Sequence, residues 1–388
     1  MANTLTSLAA DIYRAADIVG RELVGIIPSV TLNTDATKRA AKGDTVRSHF
    51  TRTPSVNTSY APSMTIPEGT DQTVDNKTLT VDSYASVQIP YTGEDIKHLN
   101  NGAGFQTVYG DQIAQAMRAI VNTIEASLFS TVYKASSRAY GTAGTTPFAS
   151  NHDPIAFVRQ ILVDNGCPIN DGQSTLVLNS AAGAKLRNLA QLQKVNESGG
   201  SQLLRQGTLL DLQGLMIKES AGISVHTAGA GTGYDINNGS GEAIGQTTIT
   251  LDGGTVNSTG IKAGDVVTFA GDSNKYIVGT GTTSTSGDIV LNDPGLLVAA
   301  ADTTELTIGA SYTPNLAFHR SAVELCVRPV AVPMGGDAAV DRMTVQDPWS
   351  GLIFEIAVYK GYQKAMMEIG CLYGHKVWKS QHVATLLG

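Results

Sequence analysis

The side chains able to do chemistry are few and scattered. Seven histidines, His49, His98, His152, His226, His319, His375 and His382, stand apart. None lies four residues from another, so no helix face offers two imidazoles to a zinc ion, and no H-E-x-x-H run occurs. Cys167, Cys326 and Cys371 form neither a CxxC pair nor a Cys/His metal spacing, and an odd count argues against a disulfide framework. A reducing compartment and buried packing roles for Cys326 and Cys371 are expected. His152-Asp153 could set a base beside its orienting carboxylate, but the following Pro154 fits the start of a helix better. Gly229-Ala-Gly231-Thr-Gly233 lacks the G-x-G-x-x-G spacing, and no helix follows to present N–H groups to a phosphate. It reads as a linker. G-x-S-x-G and S-x-x-K runs are absent, which leaves a hydrolase without an anchor. Acidic residues between 222 and 312 could cage calcium, but without a D-x-[DN]-x-[DN]-G run they read as a solvated surface. No catalytic residue, cofactor site or metal site is expected, and the chain reads as a protein without enzymatic activity.

The elements must then serve something other than a reaction. The 388 residues are 42% apolar and 16% charged, a globular composition with material for more than one domain. Net charge is −7, which excludes a basic nucleic-acid-binding protein as a whole. No run approaches the roughly 18 apolar residues that span a bilayer. Asp11, Asp17 and Glu22 interrupt the apolar N-terminal pattern, so it is not a secretory signal, and a soluble intracellular product is expected. The charge is unevenly placed. Residues 222–312 hold two lysines against nine carboxylates, net −7, and the remaining residues balance at 25 of each sign.

Leu5, Leu8, Ile12, Ala15, Val19, Leu23 and Ile26 recur every three or four residues and predict a helix ended by Pro28. Residues 31–45 read as an exposed basic arm, and 1–44 as one N-terminal unit. In 45–100, Leu79 to Tyr91 alternate apolar and polar residues, which predicts one strand of thirteen residues, roughly 43 Å long. Val46, Ser48 and Phe50 alternate upstream, so the two runs predict a long hairpin with a polar tip that needs another subunit to lie on. In 101–150, Ile113, Met117, Ile120, Ile124, Leu128 and Val132 form one stripe of a helix about 37–45 Å long, a strut. Residues 151–221 read as α/β, with Asp153 as cap, Pro154 in the first turn, Gly166 at the end, a buried strand at Leu176–Leu178, and Asn179 or Ser180 capping the next helix. Residues 222–312 contain 17 glycines and short strand signals at 247–251, 266–269, 276–278, 289–291 and 306–308, which predict a small barrel or sandwich. Residues 313–388 return to strands, so 222–312 reads as a domain inserted into its host.

This order resembles the major capsid (coat) proteins of tailed bacteriophages with the Hong Kong 97-type fold, also used by encapsulins, and within them the kind that carries an inserted β-barrel. The resemblance lies in Leu176-Val-Leu-Asn-Ser180 with Lys185-Leu186 behind it, Leu212-Gln-Gly214 leading to Ile217-Lys-Glu-Ser220, Ala317-Phe-His-Arg320 through Cys326-Val-Arg-Pro329, Gly351–Tyr359, Met367–Trp378, and Lys262-Ala-Gly264-Asp through Phe269-Ala-Gly271. It implies an α+β chain with N-arm, β-hairpin E-loop, spine helix, α/β axial domain and inserted barrel, self-assembling in hexamers and pentamers into an icosahedral procapsid and then a mature head. Implied partners are other copies, a separate scaffolding protein, a portal protein, packaged double-stranded DNA without sequence-specific contact and, optionally, a decoration protein, with no membrane. Assembly would occur in the host bacterial cytoplasm, and the location would be the virion capsid. Expected assembly contacts are Ile12, Val19, Leu23, Lys77, Leu79, Val81, Val87, Ile89 and Tyr91. Some shell proteins crosslink a lysine of this arm to asparagine; Lys77, beside Asn76, reads instead as a surface lysine. The alternatives are an encapsulin-type nanocompartment shell and, more distantly, a β-rich adhesin or tail binding protein.

Overall fold

The computed structural model describes residues 6–22, 25–51, 56, 58, 61–66, 74–100, 105–194 and 211–388. The chain begins with α1 (Thr6–Glu22), then β1 (Thr31–Thr34), the ribbon strands β2 (Asp44–Thr51) and β3 (Val74–Val81), and β4 (Ser83–Thr92). Short α2 (Gly93–Asn100) leads to α3 (Phe105–Lys134), thirty residues and thus about 45 Å long. An α/β stretch follows: β5 (Arg138–Tyr140), α4 (Asp153–Asp164), β6 (Ser174–Asn179), α5 (Ser180–Arg187), α6 (Ala190–Gln193) and β7 (Met216–Ser220). Then come six short strands, β8 (Tyr234–Ile236), β9 (Thr248–Asp252), β10 (Val266–Phe269), β11 (Lys275–Thr280), β12 (Gly287–Leu291) and β13 (Glu305–Ile308). The chain ends in β14 (Pro314–His319), β15 (Val323–Arg328), β16 (Ala339–Gln346), β17 (Ile353–Lys360), β18 (Lys364–Val377) and β19 (Val383–Leu387).

Two sheets and a barrel meet along α3. The first sheet runs β1-β15-β18-β17-β16, with β4 also on β18. The second runs β5-β19-β14-β6-β7. Its residues alternate between two layers, as a pleat requires. Val177, Leu316, Phe318 and Val383 join the core around α3. Leu176, Leu178, Ala317, Ala384 and Leu386 pack instead with Ile155, Val158 and Leu162 of α4 and Leu186 of α5. The α3 stripe Ile113, Met117, Ile120, Ile124, Leu128 and Val132 is buried against both sheets and against Ile12, Ala16 and Val19 of α1. Buried Glu125 of α3 accepts a hydrogen bond from Ile26 N and bonds the Ser220 hydroxyl, which ties the end of α1 and of β7 to the helix.

The six short strands close on themselves in the order β10-β13-β8-β9-β12-β11, with β10 back against β11, every pair antiparallel. Tyr234, Ile249, Leu251, Val267, Phe269, Tyr276, Ile289 and Leu306 fill the interior. Closure leaves no unpaired edge in a barrel of such short strands. β11 also pairs with β5, which continues the second sheet into the barrel wall.

Several expectations are corrected. Leu79 to Tyr91 is not one strand. Chain pairing stops at Asp82, which accepts a hydrogen bond from the Ser83 hydroxyl; β3 pairs with β2, whereas β4 runs along ten residues of β18. Alternation fixes which residues share a face but does not name the partner strand. Residues 31–45 are not a free arm, because β1 pairs in parallel with β15 and Ala40 exchanges backbone hydrogen bonds with Pro329 and Ala331. Asp153 is the first helical residue rather than the cap, which is His152 with no side-chain bond to the helix. Asn179 does cap α5, accepting from Ala182 N at 2.8 Å. The short strands β5, β8, β16 and β19 carry no pattern long enough to be singled out beforehand. Leu23 lies outside the described residues.

Because Phe129 of α3 is fully buried in the core common to both sheets, Phe129→Ala is expected to cost about 3–5 kcal/mol. Urea unfolding should show one shifted transition, and hydrogen exchange should accelerate in β18 and β14 together.

Candidate functional site

The ribbon β2–β3 pairs over eight residues, from Asp44 opposite Val81 to Thr51 opposite Val74. Only its base is seated. Leu79 and Val81 are 1% and 0% exposed and pack with Ala40, Cys326 and Leu372, alongside Val46, Val330 and Trp378. The base can approach because β18 carries Gly374 beneath it; a methyl there would overlap Thr80 O. Lys77 Nζ donates to Trp378 O at 3.3 Å, and its ammonium sits 5.9 Å from that indole ring. Lys376 lies 5.0 Å from the same ring and donates to Thr78 O at 2.9 Å. Trp378 Nε1 donates to Glu324 at 2.6 Å, and Asn33 of β1 donates to the other oxygen of that carboxylate at 2.7 Å. The described residues beyond the paired strands are exposed, including Val56, Met64 and Ile66 at 82%, 104% and 88%.

The expected contact residues thus fall into separate groups. Ile12, Val19, Leu79 and Val81 are buried within their own chain, where they hold α1 and the ribbon base in place. Their side chains are not presented to a neighbour, because the stripe that sequence periodicity detects is the stripe that the chain itself covers. Val87, Ile89 and Tyr91 of β4 are partly buried against the α3 core, with Tyr91 edge-on to Tyr109 at 5.4 Å. Lys77 is docked at Trp378. The apolar residues left outward on α1 are Tyr13 and Ile18, 52% and 38% exposed, which the helix pattern did not single out. The other exposed large groups include Met334, Trp349 and Tyr362.

The scattered chemistry of the sequence resolves into structural joints. His226 Nε2 bonds Asp265 Oδ1 at 2.7 Å, and its Nδ1 bonds Tyr133 Oη of α3 at 3.2 Å. Asp265 also accepts from Gly229 N and Lys262 N. A side chain at Gly229 would overlap Gly260 O, so this glycine stretch is a close-packed linker that delivers an N–H to a carboxylate. His319 bonds Asp171 at 2.8 Å through Nε2 and receives Ser321 N at Nδ1. That places the ring proton on Nε2, and the arrangement caps the turn at Arg320–Ala322. His152 bonds Gln191 rather than Asp153. His375 bonds the Ser127 hydroxyl of α3 at 2.9 Å. The three thiols are buried, and burial pushes Cys167 up to about 11 and Cys371 up to about 12, so neither is a ready nucleophile. Among the described residues no three His, Cys, Asp or Glu side chains group as metal ligands, and no helix is long and apolar enough to cross a membrane.

No family model matches the chain, and no curated protein matches it. Among solved structures it is similar to that of Mycobacterium phage Che8, at 15% identity over 89% of this chain and 85% of that one, with a TM-score of 0.46. It is also similar to the capsid structure of the cyanophage P-SCSP1u, at 12% identity over 92% and 86%, with a TM-score of 0.49. A virus-like particle from Pyrococcus furiosus matches at 8% identity over 98% and 99%, with a TM-score of 0.43.

Replacing Gly374 with alanine should lift the ribbon base while leaving the two sheets intact. Amide exchange of β2 and β3 is expected to approach that of free chain, with α3 protection unchanged; equal loss in both would contradict the notch. A second expectation concerns acid. Burial, then Lys379 and His319, pull His382 down to about 4 from its ordinary value of 6.5, and burial lowers His375 as well. The unfolded chain takes up these protons near pH 6.5 and the folded chain does not. Stability should therefore be full above 6.5 and fall by about 1–2 kcal/mol as pH drops towards 4. Urea midpoints across that range should show the slope, and His382→Gln should flatten it.

Proposed function

We propose that this chain is the major capsid protein of a tailed bacteriophage, a non-enzymatic subunit whose copies assemble through hexamers and pentamers into an icosahedral shell around double-stranded DNA. The observation that carries the reading is the ribbon. A two-stranded ribbon is marginal in water by itself, and this one is anchored only at its base while Val56, Met64 and Ile66 beyond the strands stand open to solvent. Exposed apolar groups on a reaching element call for cover, and an adjacent copy supplies it at every position of a shell. Repeated head-to-tail contacts of this kind close through curvature.

In this reading α1 and β1 form the N-arm, the β2–β3 ribbon the E-loop, α3 the spine helix, and the β5-β19-β14-β6-β7 sheet with α4 and α5 the axial domain of a Hong Kong 97-type fold. Residues 222–312 form the inserted barrel domain, and 313–388 the return. The contacts between copies then fall on residues 52–73, on the outer face of α1 at Tyr13 and Ile18, and on Lys77 at the ribbon flank. The surplus negative charge of 222–312 disfavours adhesion to packaged DNA, which fits contact without sequence specificity. A separate scaffolding protein, a portal protein and a decoration protein are the further partners, and assembly takes place in the host bacterial cytoplasm.

The test is size-exclusion chromatography with negative-stain electron microscopy of the full chain, alone and with its scaffolding protein. Shells or large rings are expected. Met64→Asp with Ile66→Asp should give a folded single chain that no longer assembles. A wild-type chain that stays monomeric with scaffold present, or a double variant that assembles normally, would overturn the reading.

A further inference from the structure

A cleft of ≈ 440 Å³ opens at the seam between the barrel and the α/β layer, between β5, α4 and residues 273–275. Arg138 lines it and is only 6% exposed. Buried guanidinium groups are ordinarily matched by a carboxylate in close, often paired hydrogen bonds. Arg138 is not. Its Nη1 meets Asn274 Oδ1 and its Nη2 meets Asn165 Oδ1, both neutral and both at 3.3 Å. The nearest acid, Asp164, is 3.8 Å away with its side chain 49% exposed, and Nε has no partner. Asp272, also close enough to act on the guanidinium, is engaged by Tyr276 Oη and by Asn274 N and Nδ2. Burial accordingly draws Arg138 below its ordinary value. Lys275 adds a second cation to the lining, its ammonium resting on Gly141 O. Beside the cations, Tyr140 and Phe157 stack at 4.5 Å and 18°, and Phe157 remains 42% exposed.

We infer that this cleft is a binding site for one anionic group, a carboxylate or a phosphate monoester, carried on a flat apolar body. The anion completes the coordination of Arg138 and draws on Lys275. The flat body lies on the Phe157–Tyr140 stack, which offers a face rather than an edge. Gln160, Thr142 and Ser273 supply neutral polar groups around the anion. Asp164 at the rim is the opposing charge and sets the affinity below what two cations alone would give. The site lies within one chain, so it does not depend on the shell reading.

The experiment is titration calorimetry on the unassembled full chain with phenyl phosphate and benzoate, and with inorganic phosphate as the reference. Saturable binding of phenyl phosphate is expected. Arg138→Gln should weaken it by about tenfold or more, as loss of a charge-assisted pair does. Asp164→Asn should tighten every anion several-fold, and Phe157→Ala should weaken phenyl phosphate while leaving inorganic phosphate unchanged. Should Arg138→Gln fail to fold, Asp164→Asn and Lys275→Gln carry the test with opposite signs. Absence of saturable binding, or indifference of binding to both of those variants, overturns the inference. Repeating the titration on assembled particles separates the sources. Binding lost on assembly identifies an acidic side chain of a neighbouring copy as the occupant, and binding retained identifies a free ligand.

Discussion

The thirty residues of α3 are the constraint on which the rest of the molecule depends. A helix of this length is marginal without a surface to pack on, and its apolar stripe must be covered along the whole of it. No single element of the chain is long enough to do so. Instead α1 lies along it, the first sheet and the second sheet each cover part, and Tyr133 near its end reaches His226 of the barrel linker. Removing any one cover exposes part of the stripe, so the sheets are joined through the helix more than through each other. Glu125 makes the same point in polar form, since its carboxylate serves backbone and side chain from two distant segments at once.

Against that rigid assembly, the β2–β3 ribbon is the element with the least support. Leu79 and Val81 fasten its root, Lys77 and Lys376 flank Trp378, and beyond these the side chains face outward. A body stiff about its strut and a limb fixed at one end suit a subunit that must meet neighbours at slightly different angles.

Much of this was legible in the residues. The α3 stripe, the barrel strands at 266–269 and 289–291, the Asn179 cap and the charge imbalance of 222–312 are local patterns, and local patterns report local structure. Partner choice was not legible. The run from Leu79 to Tyr91 keeps its alternation across Asp82 although the chain passes there from one sheet to another. The same stripe logic misassigned Ile12, Val19, Leu79 and Val81 as contacts with neighbours, because periodicity marks buried faces without saying which copy buries them. The joints were beyond reach for a different reason. His226 and Asp265 lie 39 residues apart, and Arg138 and Asn274 136 apart, with nothing in either neighbourhood to announce the meeting.

The chain leaves for the barrel and returns from it at adjacent points, where His226 and Tyr312 exchange backbone hydrogen bonds. This bears on the order of events during folding. β14 must find β6 across well over a hundred intervening residues, and closing so long a loop costs entropy. The barrel is built from contacts of shorter range. Once it has formed, its two ends are already side by side, and the remaining search is that of a much shorter tether. The barrel thus works as a clasp that brings the second half of the body within reach of the first.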